Sequence, residues 1–199
     1  MAAKILIAFY SRGGSTEALA QAVAEGATAA GAEVRLRRAR ELVGPEVMAH
    51  APGWAEAAAR MNGAYAAPTP EDADWADAIV FGTPTRFGSP SSELRAYIEQ
   101  LGGLWFQGKL AGKVGSAFVS TQGTHGGNEG TILQLYPTMA HLGLIIVPTG
   151  YTDASLFKAG TPYGASAVTG GAPMPTEDDL AVARYQGKRV ATVAALLRP

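Results

Sequence analysis

The sequence contains no cysteine. Disulfide bonds, thiol nucleophiles and cysteine–metal sites are therefore excluded. Its three histidines, His50, His125 and His141, lie far apart along the chain, so we expect no zinc site. The formal net charge is only −1, so no overall field would recruit nucleic acid or an anionic membrane.

Long apolar runs are also missing. No segment approaches membrane-spanning length, and the first predicted strand begins within four residues of the N-terminus, which leaves no room for a signal peptide. We therefore expect no membrane insertion and, by default, a cytoplasmic location. With 199 residues, of which 47% are hydrophobic and 17% charged, the chain is predicted to form a single α/β domain over residues 1–199.

Two common nucleotide-binding motifs are absent as well. The sequence has neither G-x-x-x-x-G-K-[ST], the loop of P-loop ATPases, nor G-x-G-x-x-G, the dinucleotide fingerprint. Instead, an apolar strand at 5–9 runs into a stretch rich in glycine and hydroxyls. A helical pattern of apolar residues follows from Leu19 to Ala27. The stretch reads Tyr10-Ser11-Arg12-Gly13-Gly14-Ser15-Thr16-Glu17.

This stretch has the chemistry of a phosphate cradle. Backbone N–H groups at a helix start lack partners, and the helix dipole favours an anion there. The hydroxyls of Ser11, Ser15 and Thr16 add donors, and the two glycines let the backbone approach a ligand closely. We interpret it as a site for one terminal phosphate, as in a mononucleotide. The alternative is an ordinary strand-to-helix turn with Ser15 or Thr16 as N-cap.

The second predicted strand, at 33–39, carries a cluster of basic residues. The pattern favours an edge strand guarded by charge over a site for nucleic acid or for the phosphate of NADPH. The cluster comprises Arg35, Arg37, Arg38 and Arg40. The proline-rich stretch 44–74 follows, with one short helical piece at 54–60, and its length indicates a functional loop or a lid. Trp54 and Tyr65 fit either an interface or a small satellite core.

The third predicted strand, at 78–81, ends in a second polar loop, 82–89. In this loop Phe87 offers a flat face for ring stacking, and Arg86 a cation near a polarisable ring. We expect the next helix to begin with Ser89 as N-cap and Pro90 in the first turn. Gly102-Gly103 should end it. Trp105 would then lie in a loop.

The fourth predicted strand, at 114–119, ends in a third such loop, 120–127. A helix is predicted from Asn128, with a kink or break at Pro137. The fifth strand is predicted at 144–147. A glycine-rich excursion over 149–175 precedes a last helix, which Thr176 and Asp179 cap.

Five strands that alternate with helices indicate a parallel sheet with helices on both faces. In a sheet of order 2-1-3-4-5, the loops after strands one, three and four meet at the topological switch point, where flavodoxin-like proteins hold FMN. The sequence therefore predicts a flavodoxin-like three-layer sandwich that binds FMN. A phospho-acceptor receiver domain shares this fold, but it needs acidic residues where Tyr10-Ser11 and Gly82-Thr83 stand.

Over nearly its whole length the sequence resembles the Trp-repressor-binding-protein family of flavodoxin-like NAD(P)H:quinone oxidoreductases. The segments that carry the resemblance are Tyr10-Ser11…Gly14…Glu17, Gly82-Thr83-Pro84-Thr85-Arg86-Phe87-Gly88, Gly102-Gly103-Leu104-Trp105, Gly126-Gly127, Ala140-His141, Gly160-Thr161-Pro162-Tyr163-Gly164 and Ala183-Arg184-Tyr185-Gln186-Gly187. The chain departs from the family in having Gly13 where an aromatic residue associated with the nicotinamide cofactor is common. The loop 120–125 differs in detail, and 44–70 is longer than in some members.

The resemblance implies non-covalent FMN, with NADH or NADPH and a quinone as substrates. It implies that His141 contacts the flavin from a neighbouring subunit of a homotetramer, and that Trp105 lines the substrate pocket. The other residues expected at FMN are Ser11, Arg12, Gly13, Gly14, Ser15, Thr16, Pro84, Thr85, Arg86, Phe87, Gly88, Ser120, Thr121, Gln122, Gly123, Thr124 and His125.

The activity implied is two-electron transfer in ping-pong order, with no side chain as nucleophile. His125 or His141 is a candidate proton donor to the quinone oxygen, and a purely structural role for either histidine is the alternative. Two other classes stay open. One is a flavodoxin-type electron carrier, which the net charge of −1 disfavours, since such carriers present a strongly acidic face to their partners. The other is a regulatory interaction protein.

Overall fold

The computed structural model of the protein describes residues 2–170 and 174–197. Its sheet contains β1 (Lys4–Phe9), β2 (Glu33–Arg38), β3 (Ala78–Arg86), β4 (Ser89–Pro90), β5 (Val114–Thr121), β6 (Ile145–Ile146) and β7 (Ser166–Val168). Five parallel strands lie in the order β2-β1-β3-β5-β6, which confirms the predicted 2-1-3-4-5 arrangement. The sheet has seven strands rather than five, because β4 pairs antiparallel with β3 and β7 parallel with β5.

The outer edge of β5 is divided between two short strands. Val114 and Gly115 pair with β6, whereas Val119 to Thr121 pair with β7. The predicted fifth strand at 144–147 is therefore only two residues long. The excursion after it returns to the sheet as β7, which the glycine-rich sequence does not reveal. Residues 171–173 of that excursion lie outside the described residues.

Helices cover both faces of the sheet. They are α1 (Ser15–Ala29), α2 (Pro45–Met48), α3 (Trp54–Ala64), α4 (Pro70–Trp75), α5 (Ser92–Gln100), α6 (Gly102–Phe106), α7 (Asn128–His141) and α8 (Glu177–Leu197), with a 3₁₀ turn at Ala154–Phe157. Alternate residues of β1 point to opposite layers, as expected for a strand. Ile5 and Ile7 pack with α1 and α8, and Leu6 and Ala8 pack with α5 and α7.

The helices α1 and α8 touch through their backbones. A Cβ at Gly26 would lie 1.8 Å from the Arg184 carbonyl oxygen, and one at Gly187 would lie 1.9 Å from the Val23 carbonyl oxygen. Only glycine permits this approach. It holds α1 close against α8, which itself begins with the predicted capping box: Thr176 N donates to Asp179 Oδ2 at 2.9 Å, and Asp179 N donates to Thr176 Oγ1 at 3.2 Å.

Several predicted boundaries are wrong. The stretch 44–74 is largely helical: Pro45 and Pro70, which suggested irregular structure, stand at the starts of α2 and α4, where proline is well tolerated. The helix predicted from Ser89 begins later, at Ser92 with Ser91 as N-cap, because Ser89 and Pro90 form β4.

Two further boundaries differ. Gly102-Gly103 opens α6, so Trp105 is helical rather than in a loop. Of the kink or break predicted at Pro137, the break is wrong, because α7 continues through this residue, and the kink stays a prediction. The proline is exposed, and so is Leu133 one turn before it, so the carbonyl group that loses its partner lies on the solvated face.

Candidate functional site

A cavity of about 840 Å³ lies at the carboxyl ends of β1, β3 and β5. All three predicted loops contribute to it, so the convergence expected from the strand order is present. The residues from these loops are Ser11, Arg12, Gly13, Ser15, Thr16, Pro84, Thr85, Arg86, Ser120, Thr121 and Gln122. The start of α3 and the residue after β7 complete the wall with Ala51, Pro52, Gly53, Trp54, Ala57 and Thr169.

The loop after β1 turns sharply into α1. Gly14 is the N-cap, with φ of 106°, and as a glycine it has no side chain that could cap the helix. The predicted alternative with Ser15 or Thr16 as N-cap is therefore wrong. Ser11 is buried, and its Oγ accepts a hydrogen bond from the Gly14 N–H at 3.1 Å. The first turn of α1 thus begins at the cavity, and its N-cap residue supplies no side-chain cap.

Thr16 joins this loop to the loop after β5. Its Oγ1 lies 2.8 Å from Ser120 Oγ, and both side chains are buried. Because 104 residues separate the two in sequence, this hydrogen bond depends on the strand order that brings β1 and β5 to either side of β3.

The charge at the cavity is positive. Arg12 and Arg86 line it, and no carboxylate or lysine does so among the described residues. Burial lowers the pKa of Arg86, and the nearby charge of Arg12 acts in the same direction. Two guanidinium groups that repel each other, beside hydroxyl donors and a helix start, form a site suited to an anion.

Phe87 and Gly88 form the tip of the β3–β4 hairpin. Their φ angles are 52° and 75°, and Arg86 pairs with Ser89 across the two-residue turn. Two positive φ angles are typical of the tight turns that suit twisted strands. The Phe87 side chain is fully exposed, and neither Phe87 nor Gly88 lines the cavity.

The loop after β5 divides at Gln122. Ser120, Thr121 and Gln122 line the cavity, whereas Gly123, Thr124 and His125 are exposed beyond it. The Gly126 N–H donates to the Gly123 carbonyl at 2.9 Å and closes a turn that carries the three exposed residues away from the wall.

Trp105 and His141 do not reach this cavity. They line a separate cleft of about 360 Å³ between α5, α6 and the end of α7. Ile98, Pro137, Thr138 and Leu142 contribute to the same cleft. The structure therefore brings these two predicted residues together, but apart from the loop residues of their own chain.

The sequence did not reveal the role of Trp54. The guanidinium of Arg12 stacks on its ring, so α3 closes one side of the cavity. Tyr65, for which the sequence allowed either an interface or a small core, packs edge-on against Phe9 with ring centroids 5.3 Å apart. The only indication in the sequence that Trp54 lies at the site was the length of the stretch 44–74, which predicted a functional loop or a lid.

The arginines on and just after β2 have different roles, and the predicted charged edge describes only some of them. Arg35 and Arg37 are partly exposed on the edge strand β2, and both pair with Asp72. These two residues fit the predicted edge strand guarded by charge. Arg38 instead is completely buried. Its guanidinium faces the back of the Ser11 loop, and the Glu41 carboxylate pairs with it.

A second ion pair fastens α3 to α1. Glu17, in the first turn of α1, accepts hydrogen bonds from Arg60 Nη1 at 2.9 Å and from Tyr65 OH at 3.0 Å. Burial opposes the charge of Glu17, but the hydrogen bonds from Arg60 and Tyr65 outweigh it and lower the pKa of the carboxyl.

Comparisons with known proteins identify a family and similar solved structures for this chain. A sequence model of the family described as NADPH-dependent FMN reductase matches residues 3–157. The crystal structure of a flavodoxin, WrbA-like protein from Agrobacterium tumefaciens is 26% identical, with a TM-score of 0.69 over 98% of this chain and 99% of that one.

Two flavodoxins share the fold at lower identity. The flavodoxin of Megasphaera elsdenii is 19% identical, with a TM-score of 0.56 over 94% of this chain and 98% of that one. The flavodoxin of Streptococcus pneumoniae is 15% identical, with a TM-score of 0.60 over 96% of this chain and 99% of that one. Within residues 2–170 and 174–197, no helix is long and apolar enough to cross a membrane.

Proposed function

The chain belongs to the NADPH-dependent FMN reductase family, and from this membership we propose that it is an FMN-dependent enzyme that passes two electrons from NAD(P)H to a quinone. Bound FMN would supply the hydride and electron transfer. The residues of the chain bind it, orient it and adjust the charge around it.

The observation that carries the proposal is the cavity at the ends of β1, β3 and β5. Its phosphate end would be formed by the Ser11, Ser15 and Thr16 side chains at the start of α1. A terminal phosphate needs hydrogen-bond donors and positive potential, and both are present there. The donor set therefore fits FMN.

The flavin ring would lie toward the other two loops. Pro84, Thr85 and the pair Ser120 and Thr121 form that part of the wall. Arg86 is the cation at this end, and a fixed, partly buried guanidinium stabilises negative charge more strongly than one in water. Arg86 would thus favour the reduced, more negative flavin.

We further propose membership of the Trp-repressor-binding-protein family and assembly as a homotetramer. The 26% identity to the WrbA-like protein, over 98% of this chain, supports the first. Trp105 and His141 support the second, because they share a cleft that their own chain keeps separate from the cavity. In a tetramer, a neighbouring subunit would bring them to the flavin, with Trp105 at the quinone.

One cavity would serve both substrates in turn, so ping-pong kinetics are expected. NADPH is the expected donor, which the family description supports. Arg12, the second cation at the cavity, would contact the phosphate of FMN, with its guanidinium held against the Trp54 ring.

The experiment is oxidation of NADPH by purified protein with a simple benzoquinone, with and without added FMN. We expect turnover only with FMN, and loss of turnover and FMN binding in Thr16→Glu, which places a carboxylate in the cradle. Thr28→Glu, near the other end of α1, is the control and should retain both. Tight FMN binding without quinone turnover would point to an electron carrier, and no FMN binding would overturn the proposal.

A further inference from the structure

Arg38, the last residue of β2, has no exposed surface. Both terminal nitrogens of its guanidinium make two hydrogen bonds. Nη1 donates to Asn62 Oδ1 at 2.6 Å and to Glu41 Oε2 at 3.2 Å. Nη2 donates to the Ser11 carbonyl oxygen at 2.8 Å and to Glu41 Oε1. Arg38 therefore connects the cradle loop with the turn after β2 and with α3.

The bond to Ser11 fixes the direction of one peptide group. A trans peptide unit is flat, so the Ser11 carbonyl and the Arg12 N–H point in opposite directions. Ser11 and Arg12 line the cavity, whereas Arg38 does not. With the carbonyl held toward Arg38, the Arg12 N–H is turned away from Arg38.

We propose that Arg38 is a positioning residue for the anion site, which holds the Ser11–Arg12 peptide so that its N–H faces the phosphate of bound FMN. This inference rests on the proposed function, because the anion is the FMN phosphate. Arg38 lies behind the loop and touches no ligand. Its charge is balanced by Glu41, whose side chain is only 5% exposed, so the pair sets direction rather than adding net charge.

Nearby groups are consistent with a fixed guanidinium. Its carbon lies 5.3 Å from the centroid of the Tyr10 ring, in the residue just before the loop. Burial opposes the charge of Glu41, but hydrogen bonds and the charge of Arg38 outweigh it and lower the pKa of that carboxyl. Glu41 therefore remains ionised at neutral pH and keeps Arg38 in place.

The test compares the affinities of FMN and riboflavin, which share the ring and ribityl chain but differ in the phosphate. Flavin-free protein is titrated with each, and binding is followed by flavin fluorescence. The main variant is the double substitution Arg38→Met with Glu41→Leu. Replacing both partners leaves no unpaired buried charge, and such replacements are often tolerated.

We expect the double variant to bind FMN about tenfold more weakly, while riboflavin affinity changes by less than about twofold. Arg38→Lys keeps the charge, but a single ammonium cannot reproduce all four bonds, so an intermediate loss is expected. Arg37→Met is the matched control on the same strand, because Arg37 pairs with Asp72 away from the cavity. It should leave both affinities unchanged.

Two results would overturn the positioning role while leaving the proposed function intact. One is an unchanged ratio of FMN to riboflavin affinity in the double variant and in Arg38→Lys. The other is an equal loss for both flavins, which indicates a general structural effect that thermal unfolding would also detect. If the unaltered protein binds neither flavin, both proposals fail.

Discussion

The guanidinium carbon of Arg12 lies 3.6 Å from the centroid of the Trp54 ring. The contact joins the loop after β1 to the first residue of α3, and both residues line the cavity. A guanidinium stacked on an aromatic face loses little hydrogen-bonding capacity, since its N–H groups lie in its own plane. Arg12 is therefore held in place and can still donate to an anion.

The substitution Trp54→Leu tests how much the contact between Arg12 and Trp54 contributes to FMN affinity. A cation–π contact contributes about 0.5–2 kcal/mol, so we expect FMN to bind about two- to thirtyfold more weakly, because Arg12 must then be ordered on binding. Isothermal titration calorimetry measures the affinity. Trp75→Leu is the matched control, since Arg35 lies 3.9 Å over Trp75 outside the cavity. Equal affinities for Trp54→Leu and the unaltered protein would contradict the expectation.

Gly14→Ala and Gly13→Ala form a pair of neighbouring substitutions. Gly14 has a φ of 106°, whereas no atom lies within 4 Å of a Cβ placed at Gly13. Forcing alanine into the left-handed region costs about 1–2 kcal/mol. Urea unfolding should show that loss of unfolding free energy for Gly14→Ala, and a change within about 0.5 kcal/mol for Gly13→Ala. Similar losses for both would show that strain at Gly14 is not the cause.

The ion pair of Glu17 and Arg60 predicts a pH-dependent stability. The pKa of Glu17 is lowered in the folded state, so its contribution is present above the unfolded pKa of about 4.3 and is lost as pH falls through the lower folded pKa. Glu17→Gln should reduce the unfolding free energy at pH 7, by up to about 1 kcal/mol because Arg60 is well exposed.

The difference from the unaltered protein should shrink as pH falls below about 4 and disappear once pH lies below the lowered folded pKa of Glu17, where both chains carry a neutral side chain. Unfolding curves at a series of pH values measure it. Glu25→Gln, on the same helix and exposed to solvent, is the control and should show a smaller effect at every pH. A difference for Glu17→Gln that does not vary with pH would exclude the ionic contribution.

Backbone contact between α1 and α8 predicts that alanine is not tolerated at the crossing. A methyl group at Gly26 would lie 1.8 Å from the Arg184 carbonyl oxygen, and the helices would have to separate. We expect Gly26→Ala to lower the unfolding free energy by about 1–3 kcal/mol. Gly130→Ala, in α7 with no atom within 4 Å, should instead stabilise by about 0.5–1 kcal/mol. Thermal unfolding distinguishes the two signs.

The order of the parallel strands and the meeting of three loops could be predicted because both depend on local patterns. Buried apolar runs mark β1, β3 and β5, and glycine and hydroxyl residues follow each of them. Parallel strands then bring their carboxyl ends together. Residues such as Ser11, Thr85 and Ser120 were accordingly expected at one site, and they line one cavity.

What the sequence could not reveal depends on contacts between distant segments. Arg38 looks like its neighbours Arg35 and Arg37, and only the fold shows that it is buried beside Ser11 and Glu41. Short strands such as β4 and β7 are also beyond local patterns, because two or three residues give no periodicity. The binding of FMN by the predicted residues, and the contributions of Trp105 and His141 from another subunit, stay predictions.

The divided edge of β5 affects how this sheet meets other molecules. An open edge strand can pair with a strand of another chain and lead to aggregation. Here the strands beyond β5 are β6 and β7, only two and three residues long, and the opposite edge is β2, where Arg35 and Arg37 pair with Asp72. Within the described part of the chain, neither edge offers a long, uncharged strand for pairing, so copies of this protein are expected to associate through helices and loops rather than by extending the sheet.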